Sequence, residues 1–349
     1  MSVTAKEIAK ELNISAAAVS MALNNKPGVS TKTRKIIFEK AREMGYDFSK
    51  LTPAEEIVTP KGTIYFVIYR KHGAVIPNNV SGGVNDVPFF AQLSEGISAG
   101  CKQSHYFMNV SYMYEDDDIT SQINDWKHMG VKGILLLGTE MDKHDLEPFV
   151  KSGLPVVLVD NYFEDLKLDC VLINNVQGAY LATEYLIKKK RSQPGYLCSA
   201  YTITGFEERG DGFYKAIRKN GMSKSRSIVH HLTPSVEGAY SDMKEILNQN
   251  DPLAKCYFAD NDQIAAGAIR AFQEAGYNVP KDISIIGFDD MPLCTYITPP
   301  LTTVHVPKQY MGEIAVKRLA EIIETSPVNH VKIEIDTEIT KRGSVLDLP

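Results

Sequence analysis

The sequence predicts a small all-α head followed by a larger α/β body built on parallel sheets. Three observations carry this. The first fifty residues hold three short apolar patterns at helical spacing, each preceded by a capping residue. From Gly62 onward, short apolar runs alternate with helical patterns, which is how parallel sheets covered on both faces read. Charge is also divided unevenly: residues 1–50 carry nine Lys/Arg against five Asp/Glu, and the rest of the chain carries 29 against 38. A basic head on an acidic body is the asymmetry expected when one module meets a polyanion.

Composition bounds the remaining classes. A length of 349 residues with 44% hydrophobic content supplies two or three packed units. Cys101, Cys170, Cys198, Cys256 and Cys294 are scattered and odd in number, with no C-x-x-C pair. That pattern speaks against a disulfide framework or a zinc site and for a reducing compartment. Lys6, Glu7, Lys10 and Glu11 interrupt any apolar signal core, and no apolar run approaches the roughly 18 residues of a membrane span. The expected location is the cytoplasm, with no membrane partner.

In the head, Thr4-Ala5-Lys6-Glu7 has the pattern of a capping box. It opens a helix to about Leu12, with Ile8, Ala9 and Leu12 on one face. Asn13 tolerates the left-handed conformation of a tight reversal, and Ser15 caps a second helix, Ala16 to Leu23. Val19 and Leu23 share its inner face. A loop through Asn24-Asn25-Lys26-Pro27-Gly28 leads to a third helix, capped by Ser30 or Thr31, with Ile37, Ala41 and Met44 inside and Gly45 closing it. Two short helices joined by a three-residue turn form a helix-turn-helix, whose second helix enters the major groove of DNA. A small three-helix bundle without DNA binding has the same spacing.

Further residues are specific. I-A-x-x-x-x-I-S-x-x-x-V-S-x-x-L-N, then V-S-x-x-T-R and G-Y, resembles the head of the lactose-repressor-like (LacI/GalR) transcription factors. The resemblance continues through Pro88-Phe89-Phe90, Leu154 to Asp160, Glu208-Arg209 with Gly212-Phe213, and Asn261-Asp262 with Ala265 and Gly267. Ile286 to Asp290, Thr298 to Thr303 and Thr340 to Ser344 complete it in the family's order. It implies sequence-specific, ligand-regulated transcriptional control, and a fold of helix-turn-helix headpiece plus a periplasmic-binding-protein-like effector domain of two parallel-sheet subdomains.

The resemblance also implies roles. Ala16, Ala17 and Met21 match positions that face base edges, while Ser15, Ser20, Asn24, Ser30 and Thr33 match positions that hold phosphates or backbone; Thr4 completes this set. Family members often carry longer polar side chains at the alanine positions. Alanine offers only contact with a thymine methyl or close backbone approach, so a bidentate base contact of about 1–3 kcal/mol is missing here. Lys26, Lys32, Arg34 and Lys35 are then expected to anchor phosphates, and the operator to be read by methyl contacts and DNA shape. The linker departs from the family too. Pro53 and Glu55 stand where an Arg and a minor-groove Leu are usual, with Leu51 as a poor substitute.

In the body, strands are predicted at Thr63–Tyr69, Met108–Met113, Gly133–Leu137, Val156–Asp160, Val171–Asn174, Gly195–Ser199, Cys256–Ala259 and Ser284–Phe288. Helical patterns include Gly178–Lys190, Gly212–Asn220 and Gln263–Ala275. No G-x-G-x-x-G follows the first strand and no phosphate-binding G-x-x-x-x-G-K-[ST] occurs, so no cofactor is expected. The expected division is a head over 1–48, an atypical linker over 49–61, and a body over 62–349. The resemblance implies an N-subdomain of about 62–161 and 292–325 and a C-subdomain of about 162–291 and 326–349, with crossings near Asn161, Met291 and Ser326. Ligands in open α/β sheets bind beyond the carboxyl ends of strands, which singles out Asp160, Asn261-Asp262 and Asp289-Asp290. Asp262 and Asp290 have a competing explanation as helix caps. Asp289 and Arg209 match positions that bond a polar effector, and Phe89 and Phe90 an aromatic pair on the cleft wall.

The stretch between Arg70 and Pro88 is longer than the family's usual loop and is a candidate lid. No leucine-heptad tail follows Ser344, so a dimer is expected rather than a tetramer. The expected partners are operator DNA, a second copy and a small polar effector. A sugar is the first choice, with a purine or a pure solute-binding role as alternatives. No nucleophile–base pair or metal spacing supports an enzyme.

Overall fold

A computed structural model describes residues 3–24, 26, 28–48, 60–71, 88–190 and 192–346. The expected hinge at Leu51, Pro53 and Glu55 and the candidate lid between Arg70 and Pro88 lie outside the described residues. The chain divides into two compact units, Met1–Thr59 and Pro60–Pro349.

The first unit holds α1 (Ala5–Glu11), α2 (Ala16–Leu23) and α3 (Thr31–Glu43). Each begins as the sequence anticipates. Thr4 and Glu7 form a reciprocal capping box, Ser15 accepts from the Ala18 N–H, and Ser30 rather than Thr31 accepts from the Thr33 N–H. Asn13 takes φ +53° in the turn between α1 and α2, and Gly45 takes φ +77° beyond the end of α3, both in the region that L side chains avoid. Ile8, Ala9, Val19, Ala22, Leu23, Ile37 and Ala41 form one buried core. With so few core residues the unit is small, and its caps, each typically worth about 1 kcal/mol, weigh accordingly.

The second unit runs β1 (Gly62–Arg70), α4 (Pro88–Ser104), β2 (Tyr106–Tyr114), α5 (Ile119–His128), β3 (Gly133–Leu137), α6 (Lys143–Lys151), β4 (Val156–Val159), β5 (Asp169–Ile173), α7 (Asn175–Lys190), β6 (Gly195–Ser199) and α8 (Thr204–Lys219). It continues with β7 (Val229–Leu232), α9 (Val236–Asn248), β8 (Cys256–Ala259), α10 (Asp262–Glu274), β9 (Ser284–Asp289), α11 (Leu293–Tyr296), β10 (Thr302–His305), α12 (Lys308–Thr325), β11 (Lys332–Ile335) and β12 (Glu338–Thr340). Two six-stranded sheets result, in the orders β11-β5-β4-β3-β1-β2 and β12-β10-β9-β8-β6-β7. Every pairing is parallel except β10 with β12. The central strands are buried on both faces, as in β3 and β4, which is why they read as uninterrupted apolar runs.

The subdomains differ from the expected boundaries. Three crossings exist, but each falls later along the chain. β5 pairs with β4 (Leu158 beside Cys170), so residues 162–173 stay in the first sheet. β10 pairs with β9 (Thr303 beside Gly287), so residues 302–305 stay in the second. β11 returns to pair with β5 before β12 joins β10. The crossings are therefore near Asn174, between β10 and α12, and between β11 and β12. Polar residues at a strand end mark the sheet edge, and they mark a crossing only where no later strand returns to the same sheet.

Packing of the first subdomain rests on α4 against α12. Their backbones meet at two glycines: a Cβ on Gly96 would lie 1.9 Å from the Gln309 carbonyl oxygen, and one on Gly312 would lie 2.5 Å from that of Leu93. Neither distance is compatible with a side chain, so these residues set the interhelical approach.

Candidate functional site

Two sites follow, one in each unit. On α2, Val19, Ala22 and Leu23 face the core, while Ser15, Ala16, Ala17, Ser20 and Asn24 are exposed and Met21 is half-buried. The exposed face carries only short side chains, with no charge and no long polar group. Ser15 uses its oxygen to cap α2 and retains its O–H as a donor. Asn24 donates to the Ser20 carbonyl at 2.9 Å. Ser30 and Thr33 share a hydroxyl contact of 2.8 Å at the start of α3. Thr4 is exposed and engaged with Glu7, whose carboxyl its N–H and hydroxyl hold below the ordinary value. Lys26, Lys32 and Lys35 are exposed.

Arg34 departs from expectation. Its Nη1 donates to the Ala22 carbonyl at 2.7 Å and its Nη2 to the Lys26 carbonyl at 2.8 Å. Ala22 lies in the last turn of α2 and Lys26 in the loop beyond its cap, so one guanidinium ties the end of the helix to the chain that leaves it. One turn into α3, Arg34 faces that end, so its guanidinium braces the head instead of standing free for a phosphate.

The second site lies where the carboxyl ends of both sheets meet. Asp160 follows β4, Asp289 ends β9 and Asp290 follows it, with φ of +65°, +106° and +55°; positive φ at non-glycine residues gathered at one place is the kind of stored strain that marks functional edges. Arg209, buried on α8, organises them. Its Nε donates to Asn175 Oδ1 at 2.9 Å, its Nη1 to the Asp260 carbonyl, and its Nη2 to Asp289 Oδ1 at 3.2 Å. The guanidinium also lies 3.8 Å from the Phe288 ring centroid. Three of its five N–H groups are thus committed within the protein. Thr139 donates to Asp160 Oδ2 at 2.7 Å.

Burial pushes the Asp160 carboxyl up to about 6 and the Asp260 carboxyl up to about 7, with Arg209 opposing both. Asp289 is also raised by burial, against the pull of Arg209 and Lys308. A dry cluster of acceptors around one guanidinium suits a ligand rich in hydroxyls, because each acceptor gains strength where water is excluded.

The other expected residues are placed differently. Asn261 is buried and caps α10, its Oδ1 accepting from the Ile264 N–H at 2.8 Å. Asp262 is not the cap: it accepts from the Met291 N–H at 2.7 Å and from the Thr303 hydroxyl, tying β9 and β10 to α10. Asp290 pairs with Arg342 at 2.7 Å and His305 at 2.8 Å, which hold its carboxyl below the usual range against burial. Phe89 and Phe90 belong to the core cluster, edge to face at 5.4 Å, instead of forming an open wall. Phe89 reaches the site indirectly, with Lys308 Nζ 5.6 Å from its ring centroid.

Lys308, Asn175 and Asp260 were not singled out by sequence. Lys308 is buried, donates to the Asp289 carbonyl and to that of Val306, and burial lowers its pKa. The only signal was a lysine opening an apolar helix. Cys198 Sγ lies 3.1 Å from His231 Nδ1, but burial pushes the thiol up to about 12, the reverse of an activated nucleophile. Among the described residues no group of three or more His, Cys, Asp or Glu is placed to hold a metal ion, and no helix is long and apolar enough to cross a membrane.

Known proteins share this architecture. The model for bacterial regulatory proteins of the lacI family matches residues 4–48, and that for the periplasmic binding protein-like domain matches residues 183–345. The HTH-type transcriptional repressor PurR of Pasteurella multocida (strain Pm70) is 28% identical over 347 residues, spanning 98% of each chain. Among solved structures, the transcriptional regulator CelR–cellobiose complex superposes with a TM-score of 0.71 at 20% identity, over 98% of this chain and 99% of that one. The Lac repressor dimer bound to operator and the anti-inducer ONPF gives 0.69 at 20% identity, over 99% of this chain and 100% of that one. A helix-turn-helix head joined to two parallel-sheet subdomains, with carboxylates and an arginine at their facing edges, places the chain: it belongs to the LacI family of bacterial regulatory proteins.

Proposed function

We propose that this LacI-family DNA-binding repressor acts as a homodimer in the cytoplasm, and that a sugar bound at the Arg209–Asp289 site shifts its operator affinity. The observation that carries the reading is the Arg209 cluster: a buried guanidinium with two N–H groups left over, beside the half-buried carboxylates of Asp160 and Asp289. Paired acceptors and donors of this kind match vicinal hydroxyls. CelR, of the same fold, is solved with cellobiose. The aromatic pair Phe89 and Phe90, suited to a sugar face or to a base alike, belongs to the core, so the preference for a sugar rests on the carboxylates and Arg209, with a purine as the alternative.

On DNA, the exposed face of α2 offers methyl groups from Ala16 and Ala17, so Lys26, Lys32 and Lys35 supply charge while shape and thymine methyls supply preference. One head reads one half-site, so a two-fold operator calls for a two-fold protein. Coupling between sugar and operator is about 1–3 kcal/mol and reciprocal.

The test is fluorescence anisotropy of the full-length protein on genomic fragments, titrated with salt, with and without candidate sugars. Affinity that falls linearly in log–log salt and moves when a sugar is added supports the reading. Salt-insensitive or absent binding on every fragment ends it, and unchanged affinity across all sugars removes the effector assignment alone.

A further inference from the structure

The end of β1 carries two cations in sequence, and the fold treats them oppositely. Lys71 is ion-paired twice, to Asp142 at 2.7 Å and Asp145 at 2.8 Å. Arg70 is 3% exposed, and its Nε has no hydrogen-bond partner. No carboxylate among the described residues pairs with it. Glu140, beyond the end of β3, accepts from the Lys71 N–H at 3.0 Å. The Tyr112 ring, 5.0 Å from the guanidinium carbon, gives Arg70 a cation–π contact, which stabilises a cation but accepts no N–H in a hydrogen bond to oxygen. A buried guanidinium with no anion among the described residues is costly and rare, and a charged ligand would relieve that cost.

Its place in the fold says where that partner sits. In register, Ile68 lies beside Leu137, and Leu137 beside Val159. Two residues further on come Arg70 and Thr139, and Thr139 holds Asp160. Arg70 therefore stands on the same carboxyl edge as the cluster already described. Side-chain alternation puts it on the face of Phe66 and Ile68, which pack with Phe89, Phe90 and Leu93 of α4. That face also receives the first turn of the 17-residue helix α4, whose N-terminal dipole favours negative charge.

We infer that the effector is anionic: a carbohydrate bearing a phosphate or a carboxylate, with its charged group on Arg70 and its hydroxyls at the Arg209–Asp289 end. This rests on the sugar-sensing reading above and narrows it to sugar phosphates and sugar acids. Neutral sugars lack the group that Arg70 requires. Phosphate and carboxylate both match a guanidinium in two-point geometry, so the two sources are separated by experiment.

The experiment uses the full-length protein and its Arg70→Met and Asp289→Asn variants. Without ligand, Arg70→Met is expected to melt higher by roughly 2–4 °C, because it removes a buried unpaired charge; a lower melting temperature would make Arg70 a structural residue and overturn the inference. Inorganic phosphate or sulfate is expected to raise the melting temperature of the parent and of Asp289→Asn, but not of Arg70→Met. Equal shifts in all three overturn it.

Isothermal titration then compares glucose 6-phosphate and ribose 5-phosphate, gluconate and glucuronate, and neutral glucose and ribose. Binding by the phosphates or by the acids, weakened roughly 10- to 100-fold in Arg70→Met, supports the inference and identifies the source. Neutral sugars binding with sensitivity to Asp289→Asn and none to Arg70→Met overturn it while leaving the sugar-sensing reading standing. Arg70-dependent anion binding that no operator measurement registers would instead remove the sensing reading and leave the anion site.

Discussion

The headpiece and the cleft use charge in opposite ways. In the head, Lys26, Lys32 and Lys35 are exposed, and the exposed helix face between them is alanine and serine. In the cleft, Arg209, Asp260, Asp262 and Lys308 are all buried, each fixed by hydrogen bonds. Exposed cations attract any polyanion at long range and are screened by salt. Buried charges held in place by hydrogen bonds recognise one arrangement of partners and lose heavily when it is wrong. The head is thus built for affinity with little side-chain readout, and the cleft for discrimination.

The largest expected departure comes from breaking the cleft. Arg209→Met leaves Asp289 and the Asp260 carbonyl without their donor, and should destabilise the second unit by about 3–5 kcal/mol, read by urea denaturation. A loss near zero would show the cluster to be solvated and the contrast with the head to be false.

Next is a pH effect peculiar to the cleft. The Asp260 carboxyl is pushed up to about 7 by burial, whereas in the unfolded chain it ionises near pH 4. Between these values the folded state holds a proton that the unfolded state has released. This contribution to stability is therefore full below about pH 4 and is lost as pH rises through about 7, with a slope of about 1.4 kcal/mol per pH unit at most. Asp260→Asn should flatten that slope in melts taken from pH 5 to 8; an unchanged slope would assign the proton elsewhere.

Smaller effects sharpen the picture of the head. Arg34→Met frees the carbonyls of Ala22 and Lys26 and should cost about 1–3 kcal/mol. Hydrogen exchange in α2 and α3 should accelerate along with the loss of DNA binding. Weakened DNA binding with unchanged exchange would return Arg34 to a phosphate. Lys35→Ala should leave the fold intact and lower affinity equally on all sequences, reducing the log–log salt slope by about 0.9. A loss confined to one base pair would mean that Lys35 reads a base edge.

How far the sequence revealed this follows from the range of each interaction. The head was legible almost residue by residue, because caps, turn residues and apolar spacing are local: Thr4, Asn13, Ser15 and Gly45 act within one turn of themselves. Arg34 was misjudged because its partners lie up to 13 residues away, across a loop. In the body, the strand ends at Asp160 and Asp289 were readable from apolar runs that stop at an acid. The crossings were not: β5 stays with β4 across a polar connection, and β11 returns to the first sheet through a pairing with β5 more than 150 residues back along the chain. Lys308 and Arg70 were missed for a related reason: a cation ending a strand or starting a helix usually reaches solvent, and only the assembled fold shows it enclosed.

The late crossings carry a practical consequence. The short segment from Lys332 to Thr340 supplies an edge strand to both lobes in turn. Neither lobe can be expressed alone as one continuous fragment, and a frameshift just upstream of Lys332 would strip a border strand from each at once. Loss-of-function alleles clustered in that short tail would therefore report on assembly of the whole sensor, however far they fall from DNA or metabolite.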